Sequence, residues 1–121
     1  MAGNSSRNIM KKVEQGAIFM ADLNPGKGHE QKGYRPVMVV QNNILNNNLN
    51  TVLVAPVTGN MKAAGYLTTF LLEKLKSGLV KDSVALLFQL RAIDSRRLKK
   101  RVGVLNRNEF REVKRRIGLL F

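Results

Sequence analysis

Short apolar stretches alternate with polar, glycine-rich or asparagine-rich connections along most of the chain, and that rhythm predicts strands. GAIFMADL (16–23) opens on glycine and stops at Asn24-Pro25-Gly26, so it reads as a first strand. NPGKGHEQKG (24–33) carries three glycines and a proline and reads as a loop. RPVMVVQ (35–41) is a second strand, with Pro36 near its start, where a missing N–H is tolerated. Positions 42–50 hold six asparagines, which favour turns over ladders, so this segment is a connection with room for one helical turn. TVLVAPVT (51–58) is a third strand, and Pro56 points to an edge or a bulge near its end. YLTTFLLE (66–73) is a fourth. SVALLFQLRAI (83–93), the longest apolar run, reads as one continuous fifth strand. Residues 94–98 read as a turn and KKRVGVL (99–105) as a further strand.

The pattern then changes period. Asn106-Arg107-Asn108-Glu109 matches a capping box, in which an N-cap side chain and a glutamate three residues on satisfy orphan backbone donors. Phe110, Val113, Ile117 and Leu120 follow at helical spacing, while Arg111, Lys114 and Arg115 occupy the other face. The expected architecture is therefore mainly β with a C-terminal helix: a small, strongly bent antiparallel sheet or barrel closed by one helix. Residues 1–15 are small, polar and basic and read as a flexible arm ahead of a single domain over 16–121. No internal repeat is present.

Composition narrows the class. The 121 residues suffice for one domain with its own core. No apolar window approaches the roughly 18 residues of a membrane span, and the N-terminus lacks the apolar core of a secretory signal. The expectation is a soluble cytoplasmic protein. With no cysteine there is no disulfide and no thiolate metal site, and one histidine with few acids argues against a structural metal; no cofactor is expected. Charge is more informative. Lys and Arg total 21 against 8 acids, a net +13, and residues 91–121 alone hold eleven basic and three acidic residues. Such a field attracts polyanions, nucleic acid first among them. A basic amphipathic stretch with an aromatic face is missing, so a membrane surface is the weakest candidate.

The inventory of chemistry is short. There is no Walker loop, no dinucleotide fingerprint and no Cys–His couple. What remains is Arg, Thr, Ser, a few carboxylates and His29. These suit phosphate chemistry on RNA, where the substrate's own 2′-hydroxyl is the nucleophile. Such a cleavage needs a base, a donor to the leaving 5′-oxygen and positive charge on the phosphoryl oxygens.

The segments ADLNPGKGHEQKGYRPVMVVQNN, TVLVAPVT and SGLVKDSVALLFQLRAIDSRRL resemble the MazF/PemK toxins, endoribonucleases of bacterial toxin–antitoxin systems. The resemblance runs from about Gly16 to the C-terminus. Its most specific element is G-x-E-Q-x-G-x-R-P ahead of an apolar strand and Gln-Asn. It implies a fold similar to a small SH3-like β-barrel of the MazF/CcdB type and a homodimer. It also implies cleavage of single-stranded RNA to 2′,3′-cyclic phosphate and 5′-hydroxyl ends, under the control of an acidic antitoxin. By the motif match, Arg35 takes the position of the family's catalytic arginine, Thr58 that of its catalytic threonine, and Glu30 that of a loop carboxylate at the site. A guanidinium does not release its proton under ordinary conditions, so Arg35 is better cast as a bidentate phosphate clamp than as a base. Glu30 either accepts the 2′-hydroxyl proton or orients Arg35. His29 is a second candidate base, with an intrinsic pKa near ~6.5.

One position departs from the family. Many members carry an acid before the glutamine of the fifth strand; here that residue is Phe88, ahead of Gln89. Phe88 is either core or a platform for a base. Gln89 and Arg91, with Lys27 and Lys32 of the glycine-rich loop, complete the candidate RNA contacts. Two other readings stay open: a non-catalytic basic RNA-binding module, and a gyrase-poison toxin resembling CcdB, which lacks the G-x-E-Q-x-G-x-R-P segment.

Overall fold

The computed structural model describes residues 12–24 and 33–121. Seven strands form one antiparallel sheet: β1 (Ala17–Asp22), β2 (Tyr34–Val39), β3 (Thr51–Thr58), β4 (Thr69–Leu72), β5 (Ser83–Leu86), β6 (Arg91–Asp94) and β7 (Leu98–Val104). Their order is β4-β5-β3-β2-β1-β7, with β6 also paired to β3. The α-helices among the described residues are α1 (Asn43–Asn48), α2 (Lys74–Ser77) and the C-terminal α3 (Arg107–Gly118). Among the described residues no helix is long and apolar enough to cross a membrane.

The apolar runs of β1, β2 and β3 are continuous rather than alternating because both faces of the sheet are covered. Ile18, Met38, Ala55 and Val57 point to one side and meet Leu72, Leu87, Phe110 and Val113. Ala17, Phe19, Ala21, Val37, Val39, Val52 and Val54 point to the other and meet Ile93 and Leu98. The second cluster is the inside of the curl made by β6, β3, β2, β1 and β7. Its ladder is open between β6 and β7, which a 3-10 turn, Ser95–Arg97, connects. Burying a side chain such as Phe19 stabilises the fold by roughly 1.5–3 kcal/mol, so these two clusters dominate the energetics.

The helix α3 covers the first cluster. Both capping-box bonds are present: Asn106 Oδ1 accepts from the Glu109 N–H (2.8 Å), and Glu109 Oε1 accepts from the Asn106 N–H (2.9 Å). Phe110 and Val113 are buried, and Ile117 packs partly against the same cluster. Arg116 fastens the outer end of the helix to the sheet, donating to the carbonyls of Thr69 (2.6 Å) and Tyr66 (3.3 Å) and lying over the Phe70 ring.

Two expectations are corrected. The run 83–93 is not one strand. β5 pairs Ala85 with Val57, and β6 pairs Arg91 with Val54 on the same edge of β3. β3 thus advances three residues while its partner runs back six. The three extra residues are the 3-10 turn Leu87–Gln89. Pro56, in turn, lies within a central strand, opposite Val37 of β2, at the interruption between the β5 and β6 ladders. A proline, with no N–H to give, is accommodated where one ladder is broken.

The asparagine-rich connection is ordered by its own amides. Asn42 caps α1 by accepting from the Leu45 N–H (2.9 Å), and Asn46 Nδ2 donates to the Gln41 carbonyl (2.8 Å). Of the N-terminal arm, residues 1–11 lie outside the described residues. Glu14 pairs with Arg101 (2.5 Å), and Gln15 donates from its N–H to Asn43 Oδ1 (2.7 Å) and from Nε2 to the Val40 carbonyl (3.0 Å).

Candidate active site

Arg35 and Thr58 lie on neighbouring antiparallel strands. β2 and β3 pair Val37 with Pro56, Met38 with Ala55 and Val39 with Val54. Continued two residues past Val37–Pro56, the register sets Arg35 against Thr58. Directly opposed residues share a face of a sheet, and this face is the one that carries Val37, Val39 and Val54. Both residues thus sit at the end of the inner, curled face, where its apolar filling gives way to solvent. Arg35 is exposed and lies beside Ala21 of β1; Thr58 is half-buried.

Neighbouring elements hold both residues rigidly. Val37, Met38 and Val39, directly behind Arg35, are fully buried. Thr58 is flanked by β2 on one side and by Val84 of β5 on the other. Its Oγ1 accepts from the Asn60 N–H (3.1 Å), which fixes the hydroxyl and leaves its own hydrogen to donate outward. The site therefore offers a planar, permanently charged donor on β2 and a hydroxyl donor on the neighbouring strand β3. Two such groups suit the oxygens of one phosphoryl group.

The other candidates divide by location. Lys27, His29, Glu30 and Lys32 lie outside the described residues. Phe88 and Gln89 belong to the 3-10 turn between β5 and β6, and Arg91 begins β6 opposite Val54. Val54 is four residues from Thr58, about 13 Å along a strand. These three side chains accordingly accompany β3 away from the Arg35–Thr58 pair. Phe88 is 52% exposed, so its ring is not core. Gln89 is half-buried, and its Oε1 is fully covered and accepts no hydrogen bond among the described residues. Arg91 shares the Val54 face and so the face of Arg35.

One residue near the site lies inside a family-like segment, SGLVKDSVALLFQLRAIDSRRL, that gives it no role. The Lys81 side chain lies over Gly59, immediately after Thr58: a Cβ at Gly59 would meet Lys81 Cε at 2.4 Å and Nζ at 2.7 Å. Only the β3–β5 pairing reveals the proximity, since 22 residues separate the two in sequence. On the same end of the molecule, Arg97 donates to the backbone carbonyls of Asp22 and Asn24, tying the exit of β1 to the 95–97 turn. Asp94 caps that turn and is held down to about 2 by its hydrogen bonds with Arg96. Among the described residues no three carboxylate or imidazole groups gather closely enough to hold a metal ion.

Comparison with known proteins identifies the family. Residues 14–121 match the family described as PemK-like, MazF-like toxin of type II toxin–antitoxin system. The chain is 40% identical over 107 residues to "Endoribonuclease MazF" of Staphylococcus saprophyticus, covering 88% of this chain and 89% of that protein. Among solved structures, MazF from Deinococcus radiodurans superposes with a TM-score of 0.74 at 27% identity, over 89% of this chain and 94% of that one. A MazE–MazF structure from the same organism gives a TM-score of 0.68 at 27% identity, with the same two coverages. With nearly its whole length matched, the chain belongs to the PemK-like, MazF-like toxins of type II toxin–antitoxin systems.

Proposed function

We propose that this toxin is an endoribonuclease that cleaves single-stranded RNA at a short sequence through the 2′-hydroxyl of the substrate. The observation that supports the reading is the β2–β3 register, which when continued two residues beyond Val37–Pro56 sets Arg35 and Thr58 on one face. Arg35 clamps two oxygens of the scissile phosphate and neutralises the charge that grows on them in the transition state. Thr58 donates from its hydroxyl to a phosphoryl oxygen. Glu30 takes the 2′-hydroxyl proton or orients Arg35, and His29 is the second candidate for that proton. Attack by the 2′-oxygen expels the 5′-oxygen, leaving a 2′,3′-cyclic phosphate and a 5′-hydroxyl. The neighbouring nucleotides meet Phe88, whose exposed ring offers a stacking face, together with Gln89 and Arg91. Lys27 and Lys32 add charge along the backbone path.

The partners follow from charge and kinship. A net +13 suits an acidic antitoxin whose extended tail neutralises the RNA-binding surface, and the relative from D. radiodurans is seen in a MazE–MazF structure. A homodimer acting in the cytoplasm is the proposed working form.

The test is incubation with long single-stranded RNA in EDTA and mapping of the fragment ends. Cleavage at a recurring short motif, lost in folded Arg35→Ala and Thr58→Ala variants, supports the reading. A 2′-deoxy nucleotide at the cut position should block it. Binding without cleavage across several RNAs would instead favour a non-catalytic RNA-binding module, the reading suggested by Phe88 where many relatives carry an acid.

A further inference from the structure

Thr58 has a cationic residue on each flank. On the β2 side stands Arg35. On the β5 side the partner strand begins at Ser83, pairing Val84 with Thr58, and the residue two before that strand is Lys81. Its stem crosses Gly59, so that a side chain there would collide with Lys81 Cε and Nζ. The local chain holds Lys81 in that place. Its carbonyl accepts from Ser83 Oγ (3.1 Å), and Asp82 turns its carboxylate to the Lys74 N–H (2.8 Å). Among the described residues Lys81 forms no ion pair. An exposed ammonium, laid down on a glycine one residue from a phosphate-binding hydroxyl, is placed for a second phosphate.

We propose that Lys81 is a substrate-positioning residue, binding an RNA backbone phosphate adjacent to the one held by Arg35 and Thr58. The proposal rests on the reading of Arg35 and Thr58 given above. Gly59 is part of the arrangement, because any larger residue would lift the lysine off its seat. A lysine serves here as a point charge that holds the strand in register without contacting the reacting atoms. The contact is made equally in ground and transition states, so it acts on KM and leaves kcat alone.

The experiment uses a single-stranded RNA oligonucleotide containing a site that the wild type cuts, with kcat and KM measured over a series of salt concentrations. Lys81→Met should raise KM at unchanged kcat and make the slope of log(kcat/KM) against log[salt] shallower by about 0.7, one single-strand phosphate contact. Gly59→Ala, which displaces only the flexible end of Lys81, should reproduce both effects with an unchanged denaturation midpoint. Lys81→Arg should keep the wild-type slope. If the wild type cuts RNA but Lys81→Met keeps the wild-type slope and KM, the role of Lys81 is refuted while the nuclease reading stands. A lowered kcat at unchanged KM would also overturn it, as would a wild type that cuts no RNA, which removes both readings together.

Discussion

Arg35 and Thr58 face one another across the ends of two paired strands, reached by following the Val37–Pro56 register two residues outward. Each is mounted on buried backbone, so neither has to be ordered when substrate arrives. Removing a preorganised donor of this kind costs about 10²–10³ in kcat. Arg35→Ala should show at least that loss in single-turnover cleavage. Arg35→Lys should recover little of it, because an ammonium cannot reproduce a bidentate fork.

For Thr58 the hydroxyl, not the shape, is the functional part. Oγ1 already accepts from the Asn60 N–H, so only the O–H remains to meet a phosphate. Thr58→Val keeps the volume and removes the donor; its kcat should fall by about 10²-fold or more. Thr58→Ser keeps the donor and should stay within about tenfold of wild type. A Val variant as active as the Ser variant would take Thr58 out of the chemistry.

The C-terminal helix should respond at two scales. Asn106→Ala removes one capping bond and strands the Asn106–Glu109 reciprocity, at a cost of about 1 kcal/mol. Phe110→Ala empties a buried position against Ile18, Val57 and Leu87 and should cost about 3–5 kcal/mol. Urea denaturation of the two variants would separate these, and equal losses would mean that α3 does not pack as described.

How much of this was legible in the residues depends on the range of the interaction involved. β1, β2 and β3 and the start of α3 follow from local period, punctuation and capping, and they stand within two residues of expectation. The 83–93 run defeats local reading. Leu86 and Leu87 are both buried and apolar across the break, so nothing in the hydrophobic pattern marks the inserted 3-10 turn. Only the offset between Val57–Ala85 and Val54–Arg91 reveals it. Arg35 and Thr58 stand out through a motif, whereas their nearness follows only from the register of segments 23 residues apart. Lys81 lies in a family-like segment that gives it no role, and its place beside Gly59 and Thr58 is purely tertiary.

Glu112 makes the acid side of the stability curve testable. Hydrogen bonds from Arg115 and Arg116 hold its carboxyl near 2, below the ordinary 4.5. A carboxyl whose pKa is lower in the folded state stabilises fully above its unfolded value and loses that contribution as pH falls through the folded one. Wild type and Glu112→Gln should therefore differ in urea midpoint above about pH 4.5 and converge toward about pH 2. Because Arg115 is exposed and Glu112 and Arg116 are partly so, the difference should shrink in high salt. A gap that persists unchanged at pH 2 would assign the Gln effect to packing instead.

Three glycines offer a graded test of how closely α2 meets β7. At Gly65, with φ +88° and open space around it, alanine should cost only the left-handed penalty of about 1–2 kcal/mol. At Gly103 the backbone is ordinary, but a Cβ would lie 2.1 Å from the Ser77 carbonyl oxygen. Backbone must then move against backbone, at about 1–3 kcal/mol or more. Gly78 carries both burdens, φ +83° and a Cβ position 2.4 Å from the Val102 carbonyl oxygen. Denaturation midpoints should therefore fall less for Gly65→Ala than for Gly78→Ala, which should fall furthest of the three. A Gly103→Ala protein as stable as wild type would show that Ser77 and Gly103 do not touch, and that α2 is not docked on β7 through its backbone.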